Sequence, residues 1–259
     1  MDWAQKRKIL YAVGFASIIV LLASYPAYKV FYKTPTCFDK KKNGTEAGVD
    51  CGGGCALQCS INIKPPHIVW AKVFSIGDAL YDIGSYVENV NTGAGLKSAR
   101  YTFRVFNAGG DILAEKSGET ELAPGSGVLL FETGIAFSDI PTRVEVSFDS
   151  NDFTKWTKAT QPELSLVTKN KNLKNVDTSP RFDAIVVNND PVNDVSNLSI
   201  GAVIYDQGRR PVAISKTYID SIPKNSERDI FFTWPKPFTT TKQNFITEII
   251  ITPRAVFVQ

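Results

Sequence analysis

The chain has 259 residues, a net charge of +3 and 43% hydrophobic residues, with its basic and acidic side chains interspersed. A charge that small and that scattered excludes an electrostatically driven nucleic-acid binder. The only histidine, His67, sits in a KPPH stretch read as a linker, with no nucleophile elbow or orienting partner nearby in sequence. No catalytic or cofactor-binding residue is assigned, and the expectation is a non-enzymatic protein.

In chain order, residues 1–8 are a short tail that ends in Lys6, Arg7 and Lys8. Ile9 to Tyr28 then runs without a charge for about 20 residues, the length an α-helix needs to cross the hydrocarbon of a bilayer. Residues 9–30 are therefore predicted to be a transmembrane anchor that contacts membrane lipid. The basic residues before it place the N-terminus in the cytoplasm and the bulk of the chain outside. A cleaved signal peptide is the competing reading, with Ala27 at the −1 position, but Tyr25 would then fill a −3 position that prefers a small side chain.

Residues 31–62 are read as a cysteine-rich stalk. They hold all four cysteines, Cys37, Cys51, Cys55 and Cys59, in a glycine-rich, acid-dotted segment too small for a core of its own. Two disulfides in an oxidising compartment account for this pattern, with three connectivities open. A four-thiolate zinc site is an alternative, although three residues between Cys51 and Cys55, and again between Cys55 and Cys59, are wide for a zinc knuckle. Asp39, Asn43, Glu46 and Asp50 add hard oxygen donors at short spacing. They suit either a calcium-type loop, with no EF-hand register, or caps on the turns of a solvated loop.

Beyond the stalk the sequence repeats with an offset of about a hundred residues, far longer than a solenoid period, so a domain is duplicated. Ser85–Ala114 with Glu119–Glu132 matches Arg181–Ala213 with Ile219–Phe232. Tyr101, Phe103 and Val105 alternate with Thr102, Arg104 and Phe106 in the period of a half-buried strand. Asn107–Asp111 and Asp206–Gly208 supply hairpin turns. Strands are predicted at Ile68–Phe74, Tyr81–Val90, Val128–Glu132, Val144–Phe148, Glu163–Thr168, Phe182–Asn188, Ser199–Tyr205, Ile230–Trp234 and Ile246–Thr252. The fold class is mainly β, with two tandem immunoglobulin-like antiparallel β-sandwiches, residues 63–149 and 163–259, behind one N-terminal transmembrane α-helix. Residues 150–162 are the expected linker, with Phe153 and Trp156 packing between the domains.

Both copies resemble the FxLYD type of immunoglobulin-like domain. The resemblance rests on the Asn-rich turns Asn89–Gly93 and Asn188–Asp190, strand ends at Phe106-Asn107 and Tyr205-Asp206, a glycine hairpin, and the Leu122-Ala123-Pro124 and Ile222-Pro223 turns. The second copy has Ile204-Tyr205-Asp206 in place of Leu-Tyr-Asp. The cysteine segment resembles a short pattern found near the anchors of surface proteins, carried here by Cys37, Asp39, Asn43, Gly44, Glu46, Gly48, Asp50, Cys51, Gly52, Gly53, Cys55 and Cys59. Its last two cysteines are one residue further apart than is common.

These resemblances imply an extracytoplasmic binding, spacer or scaffolding module of a bacterial cell envelope. Its partner would be an unidentified envelope or surface protein, with no nucleic acid and no catalytic residue. Two alternatives come from other classes. One is a subunit of a larger envelope or surface-appendage complex, with Gly14, Ala16 and Ser17 offering a helix-helix contact. The other is a hydrolase using paired carboxylates in an inter-domain cleft.

Overall fold

The computed structural model describes residues 2–32, 34–161, 164–238, 244–252 and 256–258. It divides into two compact units, Met1–Cys55 and Ala56–Gln259.

The first unit opens with a helix, α1, Trp3–Phe31. It is long and apolar enough to cross a membrane, and every described side chain on it is exposed. Ser17 and Ser24 turn their hydroxyls back onto the carbonyls of Val13 and Leu21, at 2.8 and 2.7 Å. That satisfies the polar groups without a partner from outside the helix. A disulfide-stapled turn segment follows.

The second unit is built of antiparallel strands. The first sandwich has one sheet ordered β1 (His67–Ser75), β2 (Leu80–Glu88), β5 (Gly127–Ala136). Facing it are β3 (Ala94–Phe106), β4 (Ile112–Leu122) and β6 (Arg143–Phe148), with β3 between the other two. A short strand, β7 (Thr157–Thr160), pairs with the start of β3. The second sandwich repeats this plan. One sheet is ordered β8 (Leu166–Lys174), β9 (Arg181–Asn188), β12 (Ser226–Thr233). The other is ordered β11 (Pro211–Ile222), β10 (Val195–Tyr205), β13 (Ile246–Thr252). A final strand, β14 (Val256–Phe257), returns to the first sandwich and pairs with β7.

Alternation makes each core. Tyr101, Phe103 and Val105 point inward from β3, while Thr102 and Arg104 point out. Phe182, Ala184 and Val186 do the same from β9. The duplication extends to buried polar groups. Asn89 Nδ2 donates to the carbonyls of Ala94, Leu122 and Ala123, and Asn188 Nδ2 donates to those of Asn193, Ile222 and Pro223. Each amide ties the end of one strand to the turns beside it by giving three of their carbonyls a donor.

Four sequence expectations are corrected here. Residues 150–160 are not a free linker: Asp149 caps a 3-10 turn at Ser150–Thr154, and β7 follows as part of the first sandwich. Trp156 is fully buried in that sandwich's own core, with Phe153 against it, and so does not pack between domains. His67 opens β1 instead of lying in a linker. The end of the expected stalk is also docked, because Gln58 N donates to Trp156 O and Ala56 O accepts from Lys158 N. Pro162 and Glu163, the expected end of the linker and start of the next strand, lie outside the described residues; β8 begins at Leu166.

The two sandwiches meet face to face. Phe74 and Leu129 from the first, and Val203, Tyr205, Ile214 and Ile250 from the second, form a third apolar core, with Trp70, Tyr86 and Phe131 around it. The inner sheets β1-β2-β5 and β11-β10-β13 are therefore covered on both sides, which is why Ile200–Tyr205 is buried without alternation. Two strand glycines permit the approach. A Cβ on Gly84 would overlap Ile214 Cδ1, and one on Gly201 would stand 2.7 Å from Leu129 Cδ2. Each sheet thus inserts one branched side chain into a hole left by a glycine of the other.

Candidate functional site

The first candidate region is the stapled segment after α1. Cys37 and Cys55 form a disulfide with a Cα–Cα distance of 5.7 Å. Cys51 and Cys59 are disulfide-bonded as well, and among the described residues there is no free cysteine. The zinc alternative is thereby overturned, since a sulfur in a disulfide has no thiolate to offer.

The three carboxylates of this set, Asp39, Glu46 and Asp50, are aimed at nearby donors. Both Asp50 oxygens accept from Lys40 N, at 3.1 and 3.0 Å, and Asp39 Oδ1 accepts from Lys41 N at 2.9 Å. Asp39 Oδ2 accepts from Asn43 Nδ2 at 2.8 Å, and Glu46 Oε2 accepts from Asn43 N at 3.1 Å. The Asn43 amide lowers the Asp39 pKa from its ordinary value. Asn43 Oδ1 is buried without a hydrogen-bond partner. Among the described residues, the ligand-type group whose atoms converge within 4.8 Å is Cys37, Glu46 and Cys55, of which the two cysteines are joined to each other. Asp39, Glu46 and Asp50 do not converge as a set.

The second region is the seam between the sandwiches. Its centre is apolar, with polar groups along its rims. At one rim Lys72 Nζ donates to Pro211 O at 2.6 Å and lies 5.6 Å from the Phe74 ring centroid. Burial holds this ammonium below the ordinary lysine pKa, with Asp206 opposing the shift. Asp82, buried beside it, accepts from Thr133 Oγ1 and Gly134 N at 2.7 and 3.0 Å. At another rim a groove of about 560 Å³ lies between Glu119 and Glu121 of the first sandwich and Tyr218 and Asp220 of the second; Tyr218 is 71% exposed. Burial, first, and Glu248 raise the Tyr205 phenol to about 12.

The outer faces are charged. Arg104 pairs with Glu115, and Arg143 with Glu145 and the Phe106 ring, on the first sandwich; Lys174 and Arg181 hold Asp183 on the second. Among the aromatics, Phe106, Tyr205 and Phe232 are buried and Phe231 is exposed beneath Arg181. His67 Nδ1 lies 3.5 Å from a Glu88 carboxylate oxygen. The interface residues were missed by sequence reasoning. The signal for them was a lone glycine inside each of two strands, in Asp82-Ile83-Gly84-Ser85 and Ser199-Ile200-Gly201-Ala202.

No family model and no curated protein matches the chain. Among solved structures it is similar to a "putative secreted protein" from Parabacteroides distasonis ATCC 8503, at 16% identity and a TM-score of 0.24, over 73% of this chain and 76% of that one. It is also similar to a beta-glucuronidase from glycoside hydrolase family 2, at 8% identity and a TM-score of 0.22, over 86% and 26%. A beta-glucuronidase from Parabacteroides merdae stands at 8% and 0.20, over 86% and 33%. The chain thus spans about a quarter to a third of the two glucuronidases. Likeness at these TM-scores carries no functional argument.

Proposed function

We propose that this chain is a single-pass envelope protein, with its N-terminus in the cytoplasm, that holds a rigid pair of sandwiches outside the membrane for binding or scaffolding and performs no chemistry. The observation that carries the reading is the junction at residue 31. An apolar helix with every described side chain exposed gives way within a few residues to a segment whose cysteines are all oxidised. A bilayer accounts for the first property and an oxidising exterior for the second.

The seam supports scaffolding over hinged capture. Two sandwiches joined by an apolar core present their loops and rims at fixed separation, and a partner that reads two rims at once meets a preorganised surface. Asp39, Asn43, Glu46 and Asp50 belong, in this account, to the architecture of the stapled turn and not to a calcium centre. The test is protease protection in intact cells, with one epitope tag at each end. The account expects the C-terminal tag to be removed and the N-terminal tag to survive until the membrane is breached. Loss of both tags, or survival of both, contradicts it.

A further inference from the structure

The turn that follows Cys37 is built outward. Phe38 is 90% exposed, and Lys40, Lys41 and Lys42 beside it are exposed as well. The acids of the same turn are held by its backbone. Asp50 takes the Lys40 N–H on both oxygens, Asp39 takes that of Lys41, and Lys40 is held at a φ of 60°. Backbone donors and a staple at Cys37 thus absorb the negative charge and fix the loop, while the positive charge and one large aromatic ring face solvent. A soluble loop gains nothing from a fully exposed phenylalanine next to three lysines. A loop against a bilayer gains from both, since the ring enters the interface and the ammonium groups meet phosphate.

The loop is also in reach. Five residues separate Phe31, the last residue of α1, from Cys37, and six extended Cα–Cα steps span about 20 Å. Tyr28 and Tyr32 stack at the end of α1, with centroids 4.8 Å apart, where interfacial aromatics mark the headgroup level.

We propose that Phe38 and Lys40–Lys42 form a docking surface for anionic phospholipid headgroups. This rests on the anchor reading above. At about a fivefold gain per lysine near an anionic surface, removing all three lowers the docked-to-undocked ratio on the order of a hundredfold.

The test uses the full chain with Phe38→Trp in nanodiscs of phosphatidylcholine alone or mixed with phosphatidylglycerol, with and without brominated acyl chains. The native chain gives the emission to subtract, and Trp3, at the start of α1, reports the anchor itself. Expected is quenching of the introduced indole in brominated anionic discs, abolished when Lys40, Lys41 and Lys42 are replaced by serine. An indole that brominated lipid leaves unquenched, while Trp3 is quenched, overturns the docking surface and leaves the anchor standing. Equal quenching in neutral and anionic discs overturns headgroup recognition. An unquenched Trp3 removes the anchor and with it the inference.

Discussion

Replacing Gly201 by valine puts three carbons where β10 meets Leu129, and the expected cost follows from the space there. The first added carbon stands 2.7 Å from Leu129 Cδ2 and 3.2 Å from Leu129 Cβ. The methyl can swing aside, but the Cβ is tied to the backbone of β5. Overpacking of this kind costs about 1–3 kcal/mol, and relief of the glycine's unfolded-state freedom returns about 0.5–1 kcal/mol. Gly201→Val should therefore destabilise by about 1 kcal/mol, a Tm loss of about 2–4 °C for a chain of this size.

Leu129→Ala alone removes three carbons from a buried site and should cost about 3 kcal/mol. Combined, the valine fills the space the leucine vacates, and the double variant should be more stable than the sum of the two changes predicts by about 2 kcal/mol. The assay is urea unfolding of the full chain in detergent, followed by tryptophan fluorescence. Strict additivity, or a Gly201→Val variant as stable as the parent, would refute the interlocked seam.

Other perturbations read other parts of the structure. Asn89→Ala strands three carbonyls in buried bonds and should cost about 2–3 kcal/mol in the same assay, whereas Asn188→Ala strands one in a buried bond and two in part-buried bonds that water can reach, and should cost less. Asp152, nearly fully buried, accepts from Arg100 N, Nε and a guanidinium NH2 and from Lys155 Nζ; the Arg100 guanidinium, first, holds its carboxyl well below the usual range. Its stabilisation is therefore complete above about pH 4, where the unfolded carboxyl is ionised, and fades as pH falls through the folded value. Asp152→Asn should cost about 2 kcal/mol near neutrality and flatten the stability profile below pH 4. Gly53 has a φ of 55° and a Cβ there would collide with the Thr45 carbonyl, so Gly53→Ala should yield mispaired or free thiols on non-reducing peptide mapping.

The β-class, the duplication and most strands were legible because alternation and turn chemistry are local signals, as in Tyr101–Val105 and Asn107–Asp111. The oxidation of the four cysteines was legible from their crowding behind an apolar run. Trp156 was misplaced because a lone aromatic in a polar stretch says nothing of which neighbour covers it, and β7 is too short to show a period. The seam was invisible for a related reason. Burial on both faces erases alternation, so Ile200–Tyr205 reads as core without saying that a second core lies behind it. The acids of the stapled turn carry an ambiguity in the sequence, because a ligand and a turn cap call for the same oxygen atoms.

The central claim, an uncleaved anchor joined to an exported and fully oxidised segment, is tested most directly by intact mass of membrane-extracted protein, alkylated with and without prior reduction. The account predicts the full-length mass, with no alkylation until reductant is added and four alkyl groups afterwards. A mass short of the N-terminal segment, or thiols that alkylate without reductant, would contradict it.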